Sequence, residues 1–260
     1  MKICVSSVCW WGDDRVSLMK KAAAAGFKAI EILTFPEKEI CKLHGDLRQL
    51  QSSQLRQELA DHGLTLAGLH LGAIMTPNEE KRRAQTDYCK RGLEVAMDLG
   101  AAVIVEGGPD RATEPIEPYM KSLDELVPLF EQTPVKLALE NHYRNWLQYI
   151  QDYDWVFSRI TSPSVGMTLD TGHFTSAKVD PIEVAKVFGK KVVHVHIKDH
   201  IDTQSVALGE GKTDNFGTVR ALREAGYDGY LSQEAEVADH SRADQVAHDG
   251  FKYMERLLQA

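Results

Sequence analysis

No apolar run in this 260-residue chain reaches the length of a membrane helix. Residues 64–78 carry no Asp, Glu, Lys or Arg, but they fall short of the roughly 20 apolar residues a bilayer requires, and His70 and turn-type residues interrupt them. The opening MKICVSSVCWWGDD has one Lys and no apolar block of signal-peptide length, so a cytoplasmic location is expected. Cysteine is sparse. Cys4, Cys9, Cys41 and Cys89 form no CxxC pair and no disulfide framework, which fits the same compartment. Positive charge is in deficit: 30 Lys+Arg against 38 Asp+Glu leave a net charge of −8. That balance argues against a nucleic-acid partner, whose binding draws on basic side chains. There is also no Pro/Ser/Gly-rich linker and no low-complexity segment, so one domain over residues 1–260 is expected.

What is present is a repeated alternation. Eight apolar runs of strand length occur: KICVSSV from Lys2, FKAIEIL from Phe27, LTLAGLHL from Leu64, AAVIVEG from Ala101, VKLALEN from Val135, VGMTLDT from Val165, VVHVHIK from Val192 and DGYLSQE from Asp228. Several are apolar on both faces, as strands of a doubly covered parallel sheet are. Amphipathic segments of helical length follow them, over residues 13–25, 46–62, 78–99, 116–131, 148–160, 181–188, 214–225 and 241–258. Gly26, Gly63, Gly100, Gly189 and Gly226 stand where left-handed C-caps would end helices. Asp13, Ser53 and Ser241 stand near helix starts. Eight strand–helix units in a chain of this length predict a single (β/α)8 TIM barrel of the α/β class. The alternative, an open doubly wound sheet, would normally place a Gly-rich turn after its first strand, and here that turn is CWWGDD.

Barrel chemistry sits at the C-terminal ends of the strands. The fifth run ends in Glu140–Asn141–His142 and the sixth in Asp170–Thr171–Gly172–His173. The seventh carries His194, His196, Lys198 and Asp199, and the eighth ends in Glu234–Ala235–Glu236. The third ends near His70, the fourth at Glu106, and the second contains Glu31. Ionisable groups on apolar strands are costly unless paired or bound to a metal, so seven strands predict one shared polar site. Glu140, Asp170, His196 and Glu234 form a mostly oxygen donor set, suited to one divalent ion. Mn2+ is the first choice, with Mg2+ or Co2+ as alternatives. His194 shares a face with His196 and reads as a supporting or core histidine one layer down.

The motifs LENH, LDTGH, HVHIKD and LGEG, with a late Glu on the eighth run, resemble the sugar-phosphate isomerase/epimerase superfamily. This xylose-isomerase-like group includes D-tagatose 3-epimerase, hydroxypyruvate isomerase, inosose dehydratase and the zinc apurinic endonucleases. The resemblance spans essentially the whole chain. It implies that Glu140, Asp170, His196 and Glu234 bind the metal, that Glu140 and Glu234 act as the acid/base pair, and that His173 contacts substrate. Thr203 and Ser205 stand where the endonucleases have further zinc ligands, and Glu106 stands where their fourth strand supplies a His. A three-zinc site and an endonuclease are thereby disfavoured. Asp202 replaces an Arg of many free-ketose epimerases, which sets the chain apart from that close group.

The expected chemistry is proton abstraction from carbon beside a metal-chelated carbonyl, through an enediolate. Return of the proton to the opposite face gives an epimer, return at the neighbouring carbon gives an isomer, and loss of a β-hydroxyl gives dehydration. The partner is a small sugar, sugar phosphate or keto-polyol, with no membrane and no nucleic acid; a homo-oligomer is an open option. A dehydratase or lyase on a keto-sugar or keto-inositol is the second reading, and a non-catalytic sugar-binding barrel the third. Trp11 and Trp10 can stack on a sugar or simply pack. His142 and Lys198 can bind substrate, though Lys198 can instead pair with Asp199 or Asp202. His70 and Glu31 line the pocket or form structural contacts. Glu236 could replace Glu234 as ligand. Gly211–Lys212–Thr213 mimics the end of a phosphate loop, but no strand leads into it. His240 and His248 read as solvated.

Overall fold

The computed structural model describes residues 1–36, 38–73 and 78–259. Residues 74–77, the end of the uncharged stretch, lie outside the described residues. The strands are β1 (Lys2–Ser6), β2 (Ala29–Leu33), β3 (Thr65–Ala73), β4 (Val103–Gly107), β5 (Lys136–Glu140), β6 (Val165–Asp170), β7 (Val192–Ile197), β8 (Asp199–Ile201), β9 (Gln204–Val206) and β10 (Tyr230–Gln233). Eight of them close into a parallel barrel in the order β1-β2-β3-β4-β5-β6-β7-β10, while β8 and β9 form a separate antiparallel hairpin.

Alternation along each strand sorts side chains between the barrel interior and the helix layer. Val105 is in register with His70 and Ala138, and Gly107 with Glu140, so these residues share the inner face. Ile104, Leu137 and Leu139 take the other parity and join the main apolar cluster under the helices. The helices are α1 (Arg15–Ala25), α2 (Glu39–His44), α3 (Ser52–Asp61), α4 (Glu79–Leu99), α5 (Glu117–Phe130), α6 (Ile150–Arg159), α7 (Thr171–Ser176), α8 (Pro181–Phe188), α9 (Asn215–Glu224) and α10 (Ala243–Gln259). In α5, Leu123, Leu126 and Phe130 repeat at helical spacing and are fully buried. Each such side chain contributes roughly 1.5–3 kcal/mol by leaving water. Among the described residues, no helix is long and apolar enough to cross a membrane.

Three local expectations change. The segment 46–62 is helical only over α3, because Arg91 of α4 donates to the carbonyls of Leu47 (3.1 Å) and Leu50 (3.1 Å) and holds the preceding residues in a turn. Gly26, Gly63, Gly100 and Gly226 have the expected positive φ, but Gly189 has φ −52° and runs on into a 3-10 turn. Glycine serves there for space: a Cβ would lie 2.3 Å from that of Ala225. The short helices α2 and α7 and the β8–β9 hairpin lie outside the expected segments; α7 and the hairpin follow β6 and β7 directly, at the mouth of the barrel.

Candidate active site

Strand ends β3, β5, β6, β7 and β10 bring His70, Glu140, Asp170, His196 and Glu234 to one buried floor. His196 Nδ1 lies 2.6 Å from Glu140 Oε1, 3.0 Å from Glu234 Oε2 and 3.8 Å from Asp170 Oδ2. His70 spans the two glutamates, with Nε2 3.3 Å from Glu140 Oε2 and Nδ1 3.7 Å from Glu234 Oε1. His70, Glu140, His196 and Glu234 converge closely enough to hold a metal ion; Asp170 stands beside that set.

The chain around Asp170 explains its motif. Asp170 Oδ1 accepts from the His173 amide (2.6 Å) and so starts α7, while Oδ2 is buried without a hydrogen bond. Asn141 clamps the same residue, accepting from its N–H (2.7 Å) and donating to its carbonyl (2.9 Å). Thr171 Oγ1 accepts from the Lys198 amide (3.0 Å), tying β6 to β7. Gly172 must be glycine, since a Cβ would lie 2.6 Å from the Cβ of Lys198. Asp199 receives the backbone N–H groups of Gly209 (2.9 Å), Gly211 (3.1 Å) and Thr213 (3.0 Å), so the LGEG–KT segment is a loop folded on a carboxylate.

Lys198 therefore does not pair with Asp199 or Asp202. Its buried Nζ lies 2.5 Å from Glu236 Oε1, 3.1 Å from Glu234 Oε2, 3.7 Å from Asp170 Oδ2 and 3.4 Å from His173 Nε2. Glu236 itself is half exposed at the rim. Burial raises the Glu140 and Glu234 carboxyls, but the neighbouring cations outweigh it and hold both well below the usual range: His70 and His196 for Glu140, His196 and Lys198 for Glu234. His70, depressed by burial, is nonetheless lifted to about 10 by Glu140 and Glu234. Asp170 goes the other way. Burial raises it, and Glu234 and Glu140 add to this against the Lys198 charge.

Above this floor opens a cavity of about 360 Å³, walled by Val8, Leu33, Phe35 and Leu71. Trp11 stands at its mouth, partly exposed, with its ring 6.3 Å from Phe35. Trp10 is buried and donates its indole N–H to Asp244 (2.8 Å), which makes it packing. His142 is exposed at the lip, its ring 3.9 Å from that of His173. All five residues expected to bind substrate (Trp11, His70, His142, His173, Lys198) line this cavity. Phe35 and Asn145 line it too, and no strand-end signal marks them. His240 and His248 are exposed elsewhere.

Two strand carboxylates read as candidates for the site stand outside its floor. Glu31 lies one layer below the floor. Glu106 faces the helix layer, where it meets the Cys89 thiol of α4 and lies near Tyr119 of α5. Burial lifts its carboxyl from 4.5 to about 8. The unfolded chain releases this proton near 4.5 and the folded chain holds it to about 8, so the protein loses stability as pH rises between those values. Glu106→Gln cannot ionise. Its melting temperature relative to wild type should climb across that window, by up to about 1.4 kcal/mol of stability per pH unit, and level off above it. Thermal melts of both proteins from pH 5 to 9 check this; a gap independent of pH would refute it.

The comparisons with known proteins agree with this architecture. The inosose dehydratase of Clostridium tetani is 23% identical over 291 residues, covering 95% of this chain and 93% of that protein. A crystal structure of a D-tagatose 3-epimerase-like protein superposes with a TM-score of 0.82 at 22% identity, covering 100% of this chain and 97% of that one. The IOLI protein, solved with a bound zinc atom, gives 0.81 at 19% identity over 99% of this chain and 98% of that one. The family model for xylose isomerase-like TIM barrels matches residues 19–257, so the chain belongs to that family.

Proposed function

We propose that this chain is a cytoplasmic, divalent-metal-dependent isomerase or epimerase of a sugar or keto-polyol, with Glu140 and Glu234 as its acid/base pair. The observation that carries the reading is the meeting of two ionised glutamates, from strands three steps apart around the ring, on one histidine nitrogen at the floor of a cavity. The donor set suits a metal. Asp170 Oδ2 is buried without a hydrogen bond, and Glu234 Oε2, though near two cations, has no hydrogen bond aligned to it. Glu140, Asp170, His196 and Glu234 would hold one divalent ion, and a hard or borderline ion such as Mn2+, Mg2+ or Co2+ matches three carboxylates and an imidazole. When bound, the ion supplies Lewis acidity that withdraws charge from a ketone and acidifies the adjacent C–H.

The protein's own groups do the rest. One glutamate takes the proton from carbon, and the other, across the cavity, returns one to the opposite face. His70, set between them at 3.3 Å from Glu140 and 3.7 Å from Glu234, supplies the charge that keeps both carboxylates ionised. Lys198, His173 and His142 face the open side and orient hydroxyls. The cavity volume suits a monosaccharide-sized ligand rather than a polymer. Dehydration of a keto-inositol by the same pair is the second reading, favoured by the inosose dehydratase likeness along nearly the whole chain. A panel of ketoses and inososes incubated with the Mn2+-loaded protein in D2O and followed by NMR tests both. Epimer or isomer formation with deuterium at the carbon next to the carbonyl is expected. Loss of water with no such exchange product supports the second reading, and neither exchange nor loss of water with any member rejects both.

A further inference from the structure

Glu31 stands on β2, fully buried, one layer beneath the floor, and its carboxylate crosses the barrel interior to β7 and β10. Its Oε1 lies 3.0 Å from His196 Nε2. Its Oε2 lies 3.1 Å from His194 Nε2 and accepts from Ser232 Oγ at 2.6 Å. We propose that Glu31 is a positioning residue that fixes the ring orientation and tautomer of His196, and that His194 and Ser232 in turn hold Glu31 in place. This rests on the reading of His196 as a metal ligand.

An ionised carboxylate only accepts hydrogen bonds, so the nitrogen facing it must carry the hydrogen. Both ring nitrogens face carboxylates in the metal-free protein, so both carry hydrogen; a metal ion would displace the one on Nδ1, and the hydrogen that Glu31 keeps on Nε2 would leave the lone pair on Nδ1, the atom that faces Glu140, Glu234 and Asp170. A histidine ligand held from behind by a carboxylate is both oriented and made more basic. The second oxygen explains the neighbours. His194 and Ser232 occupy Oε2 together, which leaves Oε1 for His196 alone and prevents the carboxylate from turning. An apolar residue at position 31 would pack in the barrel without desolvating a charge, so the carboxylate is placed for what it does to His196.

In Glu31→Gln, the amide presents an oxygen to one imidazole and an NH2 to the other. Where the NH2 faces His196 Nε2, the ring must carry its proton on Nδ1, and the ligand atom is lost. Affinity for Zn2+ alone, measured by competition with a chromophoric chelator, should fall roughly 10–100-fold in this variant. Ser232→Ala keeps the carboxylate and removes one restraint, so it should fall by less. Nitrogen-15 NMR of the Zn2+-loaded wild type should show His196 with metal-shifted Nδ1 and protonated Nε2, a readout that a merely structural Glu31 would not dictate. If Glu31→Gln does not fold, Ser232→Ala affinity and the wild-type spectrum decide. Zinc held through His196 Nε2, or unchanged affinity in the variants, overturns the positioning role alone. A wild type that binds no divalent ion overturns the metal reading and this role with it.

Discussion

Glu140→Gln and Glu234→Gln should each lower turnover by roughly 10²–10⁴-fold, the usual worth of a general base, while losing far less of the bound metal. The exchange preserves approximate size and one oxygen donor but removes the basic lone pair. The two variants should not behave alike in D2O. The variant that keeps the initiating base can still wash the substrate C–H with deuterium without completing turnover, whereas the variant lacking that base should do neither. In the reverse reaction the roles exchange, which assigns each glutamate to one face of the substrate. Glu234→Gln should carry an extra cost, because the buried Lys198 loses one of the carboxylates balancing it, 3.1 Å away. Metal content by elemental analysis and a thermal melt separate these effects. Near-wild-type turnover in both metal-loaded variants would sink the acid/base assignment and leave His173, His142 and Glu236 to be tested.

The second large effect is expected at His196. Its Nδ1 is the point on which the carboxylates converge, so His196→Ala removes the nitrogen donor and leaves Glu140, Glu234 and Asp170 facing one another. Purified wild type should bind about one divalent ion per chain and prefer Mn2+, Co2+ or Mg2+ to a multi-zinc load. The variant should bind it far more weakly and lose activity with it, and excess metal should restore only part. Three tightly held zinc ions in the wild type would contradict a single site and revive the endonuclease reading.

Most of the site was legible because strand ends in a barrel are chemically conspicuous. Apolar runs that stop in Glu140, Asp170 or Glu234 mark places where a charge is buried for a reason. His70 was visible as a pocket candidate, but its place between the two glutamates was not, since nothing local in LHLG relates β3 to β5 and β10. For Lys198 the sequence left two readings, substrate binding and pairing with its neighbours Asp199 or Asp202. Asp199 is instead taken up by three loop amides, and the lysine turns inward to Glu234 and Glu236. Short-range proximity in sequence is a poor guide on a strand, where adjacent side chains point to opposite faces.

The order of apolar runs and amphipathic segments determined the barrel by itself. Eight strands that must each be covered by a helix leave few other arrangements, and that order also determined which ionisable residues stand at the strand ends. Only the tertiary structure decided which way those residues face. Glu106 lies on a strand buried on both sides, and such a strand shows no polar/apolar alternation from which to read its inner face. Register shifts between Ile30 and Glu31 and between Met167 and Thr168 alter the pairing beside the site, and no local pattern announces them. Glu31 therefore falls beneath the floor, on His194 and His196, and Glu106 falls outside it on Cys89. Both outcomes depend on long-range register and the closure of the ring, which are properties of the assembled sheet.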